Sequence, residues 1–462
     1  MLFTELRFLP FVLVALALHW ALRGNGPRKV WLLIVSYAFY AAWDWRFLSL
    51  IVASTLIDYG VGMGLARTQA SSARRVLLGI SLTANLGLLA VFKYLGFFVE
   101  SAVELANAFG ASLSQPTLEI VLPVGISFYT FQTLSYSIDV YRRQLEPTRN
   151  LLDLAVFVGF FPQLVAGPIV RARDFLPQLL VKRARGYVHL REALTLFLIG
   201  YVQKAVVADG VAPVVDRYFS DPGAFDGLSA WLGSALYGVQ IYGDFCGYSN
   251  MAIATAGLFG YRLTENFRFP YFAASVAEFW RRWHISLSTW FRDYLYIPLG
   301  GNRGSTPRQA FNLMATMLIA GLWHGASWNF VVWGGMHGLA LGVQRVWTRA
   351  GRLALPRLVS TPLTLSWVIL AWTWFRAADL ETAWSVTQAQ FLLGDGESLL
   401  GDRLIYLLAG LALIHAVSFS GALRKLWGRL PEGVFALAYG VLWALALRFS
   451  QVDTVPFIYF QF

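Results

Sequence analysis

Two histidines sit in tryptophan-rich apolar sequence, in Trp283-His284-Ile285-Ser286-Leu287 and in Gly321-Leu322-Trp323-His324-Gly325-Ala326-Ser327. An ionisable side chain at bilayer depth is costly and persists where it faces a polar cavity, finds a partner or does chemistry. Imidazole exchanges a proton near neutral pH, so both positions suit a general base or a proton relay. Small polar neighbours, Gly325, Ser327 and Asn329, make His324 the stronger candidate. For His284, a hydrogen-bonded interface residue and a direct role are both open. His337 stands among Gly334, Gly335 and Gly338, where small residues let helices approach closely, and reads as a packing residue. His19, His189 and His415 have no supporting constellation.

Asp244 lies in a glycine-punctuated stretch, Tyr242 to Asn250, where it either orients a histidine, pairs with an arginine or is solvated. Lys204 and Asp209 read as a structural ion pair. Arg281, Arg282 and Arg292 either anchor the chain at a cytoplasmic surface or hold phosphates, which guanidinium groups bind bidentately. No phosphate-binding glycine loop, nucleophile elbow or metal-spaced His/Cys cluster occurs, so nucleotide hydrolysis and metal-assisted hydrolysis are unsupported and no metal is expected. One cysteine, Cys246, excludes an intramolecular disulfide framework. These residues leave two classes: an enzyme using histidine as base on a buried substrate, and a proton-coupled transporter.

The elements that carry these groups must be membrane helices. The 462 residues are 57% hydrophobic and 14% charged, against roughly 25% charged in soluble domains. The 18 Trp and 20 Tyr suit extensive membrane–water interfaces. The net charge of +11 falls in short loops between apolar spans, so it reports orientation and not a nucleic-acid partner. Apolar windows lie near 8–22, 30–43, 47–66, 76–99, 119–139, 190–215, 228–245, 310–323, 328–344, 363–377, 403–420 and 433–449. They predict one all-α polytopic domain over 1–462 with about 11 transmembrane helices, since a span takes about 20 apolar residues. Residues 8–22 read as a retained first span, lacking the basic start and small-residue cleavage site of a signal peptide.

Basic loops (Arg23–Lys29, Arg67–Arg75, Arg142–Arg149, Arg171–Arg185, Arg345–Arg357) alternate with loops poor in Lys and Arg (Glu100–Glu119, Asp216–Asp226, Asp379–Asp402). The basic set is therefore expected in the cytoplasm, with the N-terminus and the 456–462 tail outside. Two stretches are not plain spans. Residues 152–170, ending in Phe161-Pro162-Gln163-Leu164-Val165-Ala166-Gly167-Pro168, are either re-entrant or a surface helix followed by a loop. Residues 278–297 repeat Trp283, Leu287, Trp290, Phe291 and Leu295 at helical spacing and predict an interfacial amphipathic helix.

The run Glu278-Phe279-Trp280-Arg281-Arg282-Trp283-His284-Ile285-Ser286-Leu287-Ser288-Thr289-Trp290-Phe291-Arg292-Asp293, continuing to Asn302-Arg303, closely resembles the membrane-bound O-acyltransferase (MBOAT) family. It is most similar to members that O-acetylate bacterial exopolysaccharides such as alginate. The resemblance extends to Leu122–Phe128, Phe160–Pro168, the Asp244 stretch, Gly321–Asn329 and the Phe457–Phe462 tail. It implies a helical body around a central tunnel in the bacterial inner membrane. It also implies acyl transfer from a cytoplasmic thioester, acetyl-CoA, with no bound cofactor, towards an extracytoplasmic polysaccharide. A periplasmic SGNH-hydrolase-type acetyltransferase is the implied partner. The family's catalytic histidine falls on His324 and its second histidine on His284. The implied donor- and substrate-binding set is Asp244, Arg281, Arg282, Trp283, Arg292, Trp323 and Asn329. Cys246 and Asn250 depart from an expected Ser and Asp, and Gln203 from an expected Lys. Two other readings stay open: D-alanyl transfer from a carrier-protein thioester, and a non-enzymatic acyl transporter with relay histidines.

Overall fold

A computed structural model describes residues 1–114, 120–165, 167–351, 355–392, 394–399, 401–450 and 457–458. Every regular element among them is helical. From the N-terminus these are α1 (Phe8–Ala21), α2 (Asn25–Asp44), α3 (Leu48–Arg67), α4 (Ser71–Leu89), α5 (Leu95–Ala108) and α6 (Ile126–Tyr141). The short pieces α7 (Leu151–Gly159), α8 (Phe161–Leu164) and α9 (Ala172–Leu180) follow. The middle of the chain forms α10 (Leu190–Tyr201), α11 (Asp209–Ser220), α12 (Gly227–Leu258), α13 (Val276–Arg282) and α14 (Ile285–Phe291). It closes with α15 (Thr306–His324), α16 (Trp328–Arg349), α17 (Arg357–Arg376), α18 (Leu380–Leu392), α19 (Asp402–Phe419), α20 (Ala422–Arg429) and α21 (Glu432–Phe449).

Five stretches among the described residues are long and apolar enough to cross a membrane: Asn25–Arg67, Ser71–Ala108, Leu190–Ser220, Arg357–Arg376 and Glu432–Phe449. A pair bent by 69°, Leu404–Phe419 with Ala422–Arg429, passes the same test only when taken together, as a broken span or a re-entrant loop. Asn25–Arg67, at 43 residues, takes in two of the expected windows, 30–43 and 47–66, so these stretches do not fix the number of spans. Some elements fall short in length, as does α1 with 14 residues. Others bury polar side chains, as α12 does with Ser234, Gln240, Asp244 and Ser249.

The stretch α7–α8 is buried throughout Leu154–Val165, which supports the re-entrant reading over a surface helix. Ala166 lies outside the described residues. The expected continuous helix over 278–297 is instead broken. α13 ends at Arg282, His284 takes a left-handed backbone (φ +41°), and α14 starts at Ile285. The amphipathic spacing was real, since Trp283, Leu287, Trp290 and Phe291 are all buried. Spacing carries no information about a single residue of positive φ.

The apolar run Phe311–Leu322 leaves one basic loop, and the next basic loop begins at Arg345, which predicts a turn near His324; one is present. α15 and α16 form an antiparallel hairpin joined by three residues, with Ser327 capping α16 through the amide of Asn329. The pair is close because Gly321 and Gly334 face it. A Cβ on Gly321 would come within 2.1 Å of the Phe330 carbonyl, and one on Gly334 within 2.3 Å of that of Met317. Of the tail, the two described residues, Phe457 and Ile458, are buried among the helices. The rest of that tail lies outside the described residues.

Candidate active site

His324 is the last residue of α15, 2% exposed, with its ring 5.0 Å from Trp333 and 5.3 Å from Phe375. His284, at the α13–α14 break, is fully buried against Phe245 at 4.6 Å. Trp323 packs against both, 6.1 Å from the ring of His284 and 5.0 Å from that of His324. Two histidines 40 positions apart thus meet across one indole.

Trp323 also forms part of the wall of a cavity of about 250 Å3, with Trp43, Lys93, Leu122–Phe128 and Val165. The cavity lies at the end of the bundle opposite the basic loops, since α2 carries Lys29 in its first turns and Trp43 in its last, and α6 starts at Ile126 and ends beside Arg142. Lys93 is the single charged side chain in its wall among the described residues. A wide π-type turn, Ala90–Tyr94, presents it between α4 and α5, and such turns are frequent at functional sites. Its ammonium donates to the carbonyls of Trp323 at 2.6 Å and His324 at 3.0 Å. The Tyr94 hydroxyl donates to the Leu322 carbonyl at 3.0 Å. A cation at a helix C-terminus satisfies orphan carbonyls and complements the macrodipole, so Lys93 and Tyr94 fix the end of α15 that carries His324.

Replacing Lys93 by Met is therefore expected to fray that last turn. A hydrogen bond from a charged donor contributes about 1.5–3 kcal/mol. Amide hydrogen exchange over 320–324 should accordingly speed up by roughly tenfold or more. Unchanged protection in Lys93→Met would show that the ammonium does not hold this turn.

A second opening, of about 150 Å3, lies at the basic end and is lined by Ile169, Arg171, Asp174, Thr264, Ser286, Thr289 and Arg292. Asp293 organises its cations, bonding Arg171 and Arg292 at 2.6 Å each, with Arg173 at 3.7 Å. Burial pushes the Asp293 carboxyl up, but the hydrogen bonds from Arg292 and Arg171 outweigh this and hold it below the ordinary carboxylate range. It stays ionised, yet one carboxylate faces three guanidinium groups. Nη2 of Arg171 is buried with no hydrogen-bond partner among the described residues. Of the expected donor set, Arg292 lines this cleft and Arg281 is exposed. Arg282 is engaged by Glu278 at 2.7 Å.

Other expected site residues make contacts within the helical body. Trp283 packs on Trp372 and Phe267, at 4.9 and 5.0 Å. The Asn329 amide donates to the Ala377 carbonyl at 2.9 Å, tying α16 to the end of α17. Asp244 pairs with Lys204 at 2.6 Å, not with a histidine or an arginine. Lys204 also holds Asp209 at 2.7 Å, as the ion-pair reading expected. The other oxygen of Asp244 accepts the amide of Ile458 at 2.8 Å, anchoring the tail. His337 is packed between Trp333 and Trp280, at 4.9 and 5.1 Å.

The model of the membrane-bound O-acyltransferase family matches residues 103–377, the stretch that builds both histidines and most of both openings. The chain belongs to that family. It is thereby an O-acyltransferase, and its apolar helices make it a multi-pass membrane protein. It is 44% identical over 378 residues to the probable alginate O-acetylase AlgI of Azotobacter vinelandii, covering 80% of this chain and 73% of that protein. It is 38% identical over 482 residues to the probable alginate O-acetylase AlgI of Pseudomonas putida, covering 98% of each. It is 38% identical over 387 residues to the peptidoglycan O-acetyltransferase of Helicobacter pylori, covering 78% of this chain and 72% of that protein.

Set against the MBOAT pattern, the three departures prove to be neighbours. The Asn250 amide donates to Gln203 at 2.8 Å and lies 3.5 Å from the Cys246 sulfur. Where the family resemblance leads one to expect Lys and Asp, this chain has a neutral, half-buried amide pair, which leaves no charge unpaired there. Reading the sequence missed Lys93, Asn266 and Arg171. A lysine within the apolar 76–99 window was a usable signal. Arg171 was hidden in a basic run, and nothing marked Asn266.

Proposed function

We propose that the protein transfers an acetyl group from acetyl-CoA, bound at the cleft of Arg171 and Arg292, to an acceptor hydroxyl entering through the Lys93 cavity. The observation that carries this reading is the pair of buried histidines around Trp323, between an arginine-lined cleft at the basic end and a cavity at the other. His324 removes the hydroxyl proton as the oxygen attacks the thioester carbonyl. The C–S bond then breaks, and the thiolate takes that proton to leave as free coenzyme A. A positioned base contributes about 10²–10⁴-fold, and a site closed to water protects the thioester from hydrolysis. The acceptor is a hydroxyl of a periplasmic SGNH-hydrolase-type partner, which passes the acetyl group to a polysaccharide at the inner membrane. AlgI proteins and the peptidoglycan O-acetyltransferase among the relatives support an acetylated polymer as the end product.

The test is transfer of radiolabel from acetyl-CoA by the purified protein in liposomes with its periplasmic partner. Label on the partner is expected. No label from acetyl-CoA, but transfer from an acyl carrier-protein thioester, would replace the donor; no transfer from any thioester would overturn the enzyme reading. Arg171→Met should raise the KM for acetyl-CoA about tenfold or more, as expected for one lost charged hydrogen bond of about 1.5–3 kcal/mol. Its kcat should stay within a fewfold, because Asp293 keeps Arg292 and Arg173 as partners. An unchanged KM would remove Arg171 from the donor site.

A further inference from the structure

We infer that Asn266 is a positioning residue that sets the tautomer and orientation of His284, leaving Nε2 as the nitrogen able to take a proton or hydrogen bond from substrate. This rests on the acyltransfer reading above and deepens it. Asn266 is 1% exposed, in the loop between α12 and α13. Its Oδ1 lies 3.2 Å from the backbone nitrogen of Ser286, 2.9 Å from the Ser286 hydroxyl and 3.1 Å from Nδ1 of His284. A backbone N–H can only donate, so the atom facing it is the amide oxygen and not the amide nitrogen. The other end of the amide agrees, since Nδ2 donates to the Ser249 hydroxyl at 3.0 Å.

An amide oxygen cannot donate. The neutral imidazole therefore carries its proton on Nδ1, and Nε2 holds the lone pair. The Ser286 hydroxyl, 3.4 Å from Nδ1, does not reverse this, because it donates to Asn266 and accepts the amide of Ile169 at 3.0 Å. Nε2 is buried and has no hydrogen-bond partner among the described residues. Its ring is bordered by Phe245, Trp323, Phe128 and Phe267, none of which offers a strong acceptor.

The same residue holds the strained backbone that aims the ring. His284 has φ +41°, a conformation that costs a non-glycine residue about 1–3 kcal/mol and persists where surroundings over-determine it. The two amides that follow are both claimed by Asn266: Ile285 N–H bonds its carbonyl at 2.9 Å, and Ser286 N–H bonds Oδ1. One side chain thus fixes the bend, the ring direction and the proton position.

The experiment combines ring-¹⁵N histidine NMR with kinetics on the full-length protein in liposomes, the His284 signals being assigned by their loss in His284→Gln. Wild type should show His284 protonated on Nδ1 and bare on Nε2. Asn266→Ala should lose that signature and lower kcat by roughly tenfold to a hundredfold, the effect of deleting an orienting partner of a functional histidine. Its acetyl-CoA KM should stay within about threefold, since the cations of the donor cleft are held by Asp293 and not by Asn266. Asn266→Asp, which keeps an acceptor for Nδ1–H, should retain the signature, recover much of kcat and shift the pH profile. A wild-type His284 protonated on Nε2, or an Asn266→Ala protein with wild-type signature and kcat, overturns the proposal. If Asn266→Ala does not fold, loss of the signature in Asn266→Asp overturns it. A protein that moves no acyl group from any thioester overturns the function reading, while the spectrum still decides the role of Asn266.

Discussion

Replacing His324 by alanine is expected to lower acyl transfer by two orders of magnitude or more. A positioned general base contributes about 10²–10⁴-fold, and its loss acts on the transition state, so kcat and kcat/KM should fall together. The ring packs among Trp323, Trp333 and Phe375, so alanine also opens a cavity, and large-to-small changes of this kind cost about 2–5 kcal/mol. Glutamine removes the base while filling most of the volume. His324→Gln should therefore match His324→Ala in activity while unfolding at a temperature close to wild type. Label transfer from acetyl-CoA, normalised to monodisperse protein, measures the first quantity, and thermal unfolding in detergent the second. Wild-type transfer by His324→Gln would remove the imidazole from the reaction.

The reason His324 and His284 could be found in the sequence, while their supports could not, is one of distance along the chain. Each histidine carries its signal locally, as a titratable residue inside contiguous apolar sequence. The α15–α16 turn was legible for a similar reason: an apolar run leaves one basic loop and the next basic loop begins at Arg345. Lys93 acts on the Trp323 carbonyl 230 positions away and Asn266 on a ring 18 positions away. No periodicity encodes such meetings. The break at His284 was hidden differently, because residues on both sides keep the apolar spacing that suggested one helix. Its cause is tertiary, in the amides that Asn266 claims. Composition identified a membrane protein at once, but it could not say which windows are full spans, since burial in a large bundle tolerates polar side chains that lipid does not.

The largest effect on stability should come from Lys204→Met. Lys204, Asp209 and Asp244 are 1%, 5% and 2% exposed, and the single ammonium answers both carboxylates. Removing one partner of a buried ion pair costs about 3–5 kcal/mol, because the charge left behind has lost its solvation. Here two carboxylates would be stranded by one substitution. Asp209→Asn should be mild, as Lys204 keeps Asp244 and a buried like-charge repulsion disappears. Asp244→Asn should fall between them. An amide oxygen can still accept the Ile458 N–H that Asp244 takes at 2.8 Å, but the charge that strengthens that bond is gone. The expected order of destabilisation, Lys204→Met well above Asp244→Asn and Asp244→Asn above Asp209→Asn, is read from unfolding midpoints in detergent. Midpoint and activity together then separate scaffold from chemistry. If Asp244 only anchors α12 to α10–α11 and the tail, Asp244→Asn should lose transfer in proportion to folded protein. An Asp244→Asn protein of wild-type midpoint and abolished transfer would instead return this carboxylate to the reaction.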